Sequence, residues 1–168
     1  MGENANEWRS ELIRAIFACD REGGIGKNGT LPWSHNSEDL KWFKECTDGN
    51  VVIMGRRTWN DPSMPKPLPN RYNIVLTSQD IATGPNVVFK DVDTAIKHVK
   101  SFAQDVWVIG GKHTFDQLID ICEEVWISRI NGIYDCNTHI RDLVDFELYF
   151  KSYDVDKNLR IEKYRRSI

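Results

Sequence analysis

Apolar positions along the chain recur with two different periods. Short, nearly continuous apolar stretches occur at residues 12–19 ("LIRAIFAC"), 50–55 ("NVVIMG"), 72–78 ("YNIVLTS"), 87–90 ("VVFK"), 105–111 ("DVWVIGG") and 124–130 ("EVWISRI"). Each is rich in β-branched residues and bounded by polar residues, glycine or proline, which predicts buried strands. Helical spacing appears between them. In "DVDTAIKHVK" (91–100), Val92, Ala95, Ile96 and Val99 share one face, and in "KHTFDQLIDIC" (112–122), Phe115, Leu118, Ile119 and Cys122 do the same. Residues 38–47 read as a further helix, and "RRTWN" (56–60) as the opening of a short one.

Strands alternating with amphipathic helices predict βαβ units. The tail differs: "DFELYFKSYDV" and "NLRIEKYRR" read as a long hairpin turning at Asp156-Lys157. The expected architecture is a three-layer α/β domain over residues 11–168. Its central sheet is mixed but mostly parallel, ends in an antiparallel C-terminal hairpin, and carries helices on both faces. Residues 1–10 read as a polar N-terminal extension. Two segments carry neither period and are expected to be loops: "GIGKNGTLPW" (24–33) and the proline-rich "DPSMPKPLPNR" (61–71).

Bulk composition narrows the choices. A chain of 168 residues with 40% hydrophobic and 28% charged residues suits one soluble globular domain. The net charge of −3 points to neither nucleic acid nor a membrane surface as partner. The N-terminus has no apolar signal core, and Asn6 stands where a myristoylation motif needs Ser or Thr. Cys19, Cys46, Cys122 and Cys136 are scattered, which predicts free thiols in a reducing cytoplasm and no zinc site.

The helix at 38–47, "EDLKWFKECT", carries the most chemical information. Successive residues turn by roughly 100°. With Asp39 at the origin, Trp42, Phe43 and Cys46 fall beside it, and Glu38, Lys41, Lys44 and Glu45 fall opposite. Asp39 thus sits within the apolar stripe. It either decorates the first helical turn, where acids are favoured, or it is a buried pocket acid with a raised pKa.

Three strand ends carry groups suited to an anion or a close ligand. "VWVIGGKHTF" runs from a strand through Gly110 and Gly111 into a helix. "VVIMGRRTW" places Gly55, Arg56, Arg57 and Thr58 at a helix start, where two cations oppose the macrodipole preference. "IVLTSQ" ends on Thr77 and Ser78. Together they suggest a dinucleotide across the carboxyl edge of the sheet. Arg71, after the proline-rich loop, reads either as a surface arginine or as a carboxylate clamp.

Taken in order, "GIGKNGTLPW", "EDLKWFK", "VVIMGRRTW", "KPLPNRYNIVLTS", "VWVIGGKHTFDQL" and "NTH" (137–139) resemble dihydrofolate reductase from about Leu12 to Arg166. The resemblance implies NADPH-dependent reduction of 7,8-dihydrofolate to tetrahydrofolate, with hydride passing to C6 and a proton to N5, in support of one-carbon metabolism and thymidylate synthesis. It implies a cytoplasmic monomer with a small-molecule substrate. Asp39 matches the family's pocket acid. Leu31 and Trp33 match residues of a mobile loop that shuts out bulk water. Ile16, Phe17, Ala18, Leu40, Phe43, Thr58, Leu68, Ile109 and Ser128 match the substrate pocket, and Arg71 matches the clamp on the glutamate α-carboxylate. Ala18, Ile25, Gly26, Gly55, Arg56, Arg57, Thr58, Thr77, Ser78 and Ile109 match cofactor positions. So do Gly110, Gly111, Lys112, His113 and Thr114, the glycine pair often being joined by a cis peptide.

The chain departs from the family pattern in several places. His113 replaces an arginine near the phosphates, and Lys112 is a candidate to supply the missing charge. Ser128 replaces a threonine that supports the pocket acid. Phe115 replaces a common tyrosine. Cys136 and Asn137 replace a Gly-Asp pair in a loop that touches the mobile cover in some members. Two rival readings were weighed. A pyrimidine reductase on the same fold would keep the cofactor edge but lack the pterin acid on this helix, and Asp39 and Arg71 together argue against it. A catalytically idle folate-binding subunit would keep them.

Overall fold

The computed structural model describes residues 12–26, 37–62, 64–79, 86–130, 132 and 135–167. The strands are β1 (Ile13–Cys19), β2 (Gly24–Gly26), β3 (Val51–Gly55), β4 (Tyr72–Leu76), β5 (Val87–Phe89), β6 (Val106–Gly110), β7 (Glu124–Ile130), β8 (Thr138–His139), β9 (Phe146–Asp154) and β10 (Leu159–Arg166). The helices are α1 (Ser37–Thr47), α2 (Arg56–Trp59), α3 (Val92–Val99) and α4 (Lys112–Leu118), the last tightening into a 3₁₀ turn at Ile119–Ile121. The strands predicted for the first 130 residues and the C-terminal hairpin are all present.

Among the described residues, eight strands form one sheet in the order β5-β4-β3-β6-β1-β7-β10-β9. The pairs from β5 through β7 are parallel, and β10 runs antiparallel to both β7 and β9. Every residue of β3 is buried, as a parallel strand covered on both faces requires. Strand β9 is the opposite case: after Phe146 it is exposed throughout.

Side-chain alternation divides the core in two. One face takes Ile13, Ala15, Phe17 and Cys19 from β1 and packs them beneath α3 and α4. There Phe17 meets Phe115 edge-on, with ring centroids 4.6 Å apart. Ala95 and Val99 of α3 are buried on this face, as the helical spacing predicted. Asp91 caps that helix by accepting hydrogen bonds from the backbone N–H groups of Asp93 (2.9 Å) and Thr94 (3.2 Å). The other face gathers Ile16, Val52, Met54, Trp59, Val75 and Trp107, against which Trp42 and Phe43 of α1 pack.

Two expectations needed revision. The helix predicted over 112–122 is regular only to Leu118, beyond which the chain adopts the tighter 3₁₀ geometry common at helix ends. The start of "GIGKNGTLPW" is a strand rather than a loop: Gly24 pairs with His139 and Gly26 with Thr138, antiparallel. These strands are too short to carry a period, so the pairing is set by tertiary approach. A Cβ on Gly24 would lie 2.6 Å from both Cβ and Sγ of Cys136 and 2.8 Å from Oδ2 of Asp20. Gly24 thus lies hard against Cys136. No helix among the described residues is long and apolar enough to cross a membrane.

Candidate functional site

Helix α1 delivers Asp39 to the sheet. Asp39 lies in the first turn and is half-buried. Its carboxylate accepts a hydrogen bond from the side chain of Ser128 on β7. Asp39, though in the first turn of α1, thus faces the sheet. Burial pushes its carboxyl above the ordinary value, and the Ser128 bond partly opposes the rise. Ser128 itself is 1% exposed and pairs in register with Ala18 of β1, while Ile16 pairs with Trp126. Asp39, Ser128, Ala18 and Ile16 thus converge on one patch of the α1 face.

A stack of rings and cations holds α1 in place. Trp42 stacks on Trp126 with centroids 5.9 Å apart. The Arg14 guanidinium lies 5.2 Å from the Trp107 ring and 5.1 Å from that of Trp126, and Nη1 of Arg14 bonds Oδ2 of Asp105 at 3.0 Å. The Lys163 ammonium sits 3.9 Å from the Trp126 centroid and 4.6 Å from that of Phe150. Such contacts contribute about 0.5–2 kcal/mol each, more as they are desolvated. None of this was legible in the sequence, because the six elements involved meet only after the sheet forms.

Arg71 closes the far end of the patch. Its Nε donates to the Pro69 carbonyl (2.8 Å) and its Nη1 to Oγ1 of Thr47 (3.0 Å), the last residue of α1. Neither bond uses Nη2. Burial lowers its pKa from the ordinary arginine value, and the charge of Asp48 acts the other way. Leu68 is buried beside it on the same face, with Phe43 half-buried nearby. Leu40 is 47% exposed.

The cofactor candidates line the carboxyl edge of the sheet. Register places Gly55 beside Leu76, and Met54 beside Gly110. Thr58, Thr77 and Ser78 follow those strand ends. Gly110 has φ +126° and is joined to Gly111 by a cis peptide. A Cβ on Gly110 would touch Oγ1 of Thr58 at 3.4 Å, and one on Gly55 would collide with Oγ1 of Thr114 at 2.3 Å. Gly55 thus makes room for Thr114, which packs against its backbone, and Gly110 brings bare backbone to the carboxyl edge beside Thr58, which suits close approach of a dinucleotide. Ile109 is half-buried on the α1 face, next to this edge. Arg56 is half-buried, and Arg57, Ser78 and His113 are exposed.

Some expected site residues are placed differently. The Phe17 side chain packs on the opposite face, so any contact it makes on the α1 side runs through its backbone. Ile25 also packs against that opposite core. Lys112 donates to Oδ2 of Asp116 at 2.8 Å, one turn along α4, so its charge already has a partner. Leu31 and Trp33 lie outside the described residues. Sequence reasoning also missed Asn73, a fully buried polar residue within the apolar strand β4. A polar residue inside a buried strand was the available signal.

A mostly parallel sheet with helices on both faces, and a half-buried acid beside a glycine-bearing carboxyl edge, defines an α/β domain of the kind whose ligand sites lie at the carboxyl ends of the strands. The family profile described as dihydrofolate reductase matches residues 12–166, and the chain belongs to that family. A dihydrofolate reductase of Staphylococcus aureus (strain MSSA476) is 37% identical over 126 residues, covering 75% of this chain and 76% of that protein. A bifunctional dihydrofolate reductase-thymidylate synthase of Paramecium tetraurelia is 33% identical over 150 residues, covering 88% of this chain. The chain spans about a third of the length of such bifunctional relatives (31% for Paramecium, 32% for Zea mays). Among solved structures, dihydrofolate reductase from Enterococcus faecalis, complexed with NADP(H) and RAB-propyl, superposes with a TM-score of 0.82. It is 30% identical and covers 95% of this chain and 98% of that one.

Proposed function

We propose that this chain reduces 7,8-dihydrofolate to 5,6,7,8-tetrahydrofolate with NADPH. The observation that carries this reading is Asp39: one half-buried carboxyl, bonded to Ser128, on the α1 face beside the glycine-lined edge. NADPH, when bound, supplies a hydride to C6 of the substrate. Asp39 hydrogen-bonds the pterin and promotes protonation at N5. A carboxyl with a raised pKa suits that task, because its proton is available nearer neutral pH. Ser128 orients it.

Ile16, Ala18, Leu40, Phe43, Leu68 and Ile109 enclose the pterin and aminobenzoyl groups, with Phe17 contributing backbone, and Arg71 takes the α-carboxylate with a charge-assisted bond. Leu31 and Trp33 exclude bulk water. Thr58 sits where the two ligands meet. Ile25, Gly26, Gly55, Gly110, Gly111 and Thr114 give the cofactor backbone room, while Arg56, Arg57, Thr77, Ser78 and His113 offer polar groups to its phosphates. Residues 11–168 act as one domain, a monomer in the cytoplasm, with residues 1–10 an extension.

The test is loss of nicotinamide absorbance when the protein meets dihydrofolate with NADPH and, separately, with NADH. Rapid loss with NADPH and little with NADH is expected. No loss with either, while folate still binds, would favour the idle folate-binding subunit.

A further inference from the structure

Asn73 lies on β4, 0% exposed, on the same face as Asp39 and Arg71. Its side-chain amide is hydrogen-bonded to backbone. Oδ1 accepts from the N–H of Leu68 (2.9 Å), and Nδ2 donates both to the Leu68 carbonyl (3.0 Å) and to the Arg71 carbonyl (2.9 Å). Both amide hydrogens are thereby used. The two ends of the segment Leu68 to Arg71 are fixed to one buried group. Between them lies the Pro69 carbonyl, which in turn receives Nε of Arg71. The anchor is itself held: its N–H donates to Oδ1 of Asn86 (2.6 Å), its carbonyl accepts from the N–H of Asn86 (2.9 Å), and it pairs in register with Val52.

The loop carrying Arg71 holds three prolines between Met64 and Pro69, and those residues have no backbone N–H to donate. Such a segment has few ways to fix itself by its own backbone. We infer that Asn73 is a positioning residue for recognition of the substrate's terminal carboxylate, acting through Arg71. The inference rests on the reading of Arg71 as the clamp given above. A buried amide of this kind could instead serve stability alone, and the two roles separate by substrate. Dihydropteroamide, the primary amide of dihydropteroate, keeps the pterin and the aminobenzoyl amide of dihydrofolate but has no carboxylate, so it presents no anion to Arg71.

The experiment compares wild type, Asn73→Ser, Arg71→Leu and the double variant with dihydrofolate and with dihydropteroamide, folding being checked by thermal melts. Asn73→Asp keeps the shape and the bond from Leu68 N–H while losing the donors, and it serves if the serine variant does not fold. The expected result for the Asn73 variants is a roughly tenfold rise in KM for dihydrofolate, the scale of one charge-assisted bond. Their KM for dihydropteroamide and for NADPH should stay within about twofold of wild type. Adding Asn73→Ser to Arg71→Leu should cost nothing further. Equal losses on both substrates, or losses that multiply with Arg71→Leu, would overturn the positioning role. Absence of NADPH oxidation by the wild type with either substrate would instead sink the reductase reading itself.

Discussion

The two faces of the sheet are made from alternate residues of the same strands, and they differ in kind. Along β1, Ile13, Ala15, Phe17 and Cys19 enter a face that is mainly apolar, with a charged group at its β7–β10 side, where Arg129 bonds the buried Glu162 at 2.7 Å and reaches Sγ of Cys19. Its thiols are inert: burial pushes Cys19 and Cys122 up to about 12. One residue out of phase, Arg14, Ile16 and Ala18 enter a face that also holds Asp39, Ser128, Asn73, Arg71 and Lys163. Each of these has a named partner on another element. Buried polar groups cost free energy unless they are bonded, so this face contributes less stability for the volume it fills. What it gains is fixed direction for a few charged groups. The comparison teaches that the groups proposed for ligand chemistry share one parity along these strands, while the other parity supplies most of the apolar packing.

The largest test of that separation is Asp39→Asn. Turnover with dihydrofolate at neutral pH should fall by about 100-fold or more, the range for removal of a general acid, with partial recovery at acid pH as the substrate protonates in solution. Stability should move the other way. In the unfolded chain Asp39 titrates near 3.8, and in the fold its pKa is raised. Between those values the folded state binds more protons than the unfolded one, so wild-type stability falls as pH rises through the window. Asparagine carries no such term. Urea midpoints of wild type and variant, measured from pH 4 to pH 8, should therefore separate in favour of the variant as pH increases. Unchanged turnover would remove Asp39 from the chemistry, and a gap that closes with pH would mean that its burial does not penalise the charge.

The apolar face should give the complementary result. Phe115 is 1% exposed and edge-on to Phe17. Phe115→Ala should cost about 3–5 kcal/mol of stability while KM for both ligands, measured per folded molecule, stays within about twofold. A large change in either KM would show that the faces are mechanically coupled, and the contrast drawn here would fail.

The same parity explains what the sequence disclosed. The apolar stripe of α3 is local, three or four residues apart, so Ala95 and Val99 could be placed before any tertiary structure was known. Asp39 stood out because it broke a local stripe. Arg71 and the glycine pair were legible through the family's spacing. Asn73, the Arg14 stack and the β2–β8 pairing were not. Their partners lie far along the chain: Arg14 bonds Asp105, 91 positions away, and Gly24 pairs with His139. No period or short motif encodes a contact that exists only once β1, β6 and β7 lie side by side.

The smallest expected effect sharpens the contrast most, because it asks whether the polar face stabilises the fold at all. Lys163 lies over Trp126 (3.9 Å) and Phe150 (4.6 Å) and within 5.7 Å of Trp42 on α1. Lys163→Met keeps much of the length and apolar stem but removes the charge. If the cation is held by the ring quadrupoles, the variant should lose about 0.5–1 kcal/mol with a shifted tryptophan emission. KM for dihydrofolate should hardly move, since Asp39 and Arg71 are held by their own hydrogen bonds to Ser128, Pro69 and Thr47. A gain in stability would assign the ammonium to a net desolvation cost, leaving the apolar face as the main source of fold stability. A raised KM would instead make Lys163, through Trp42, part of the apparatus that sets α1 and the acid it carries.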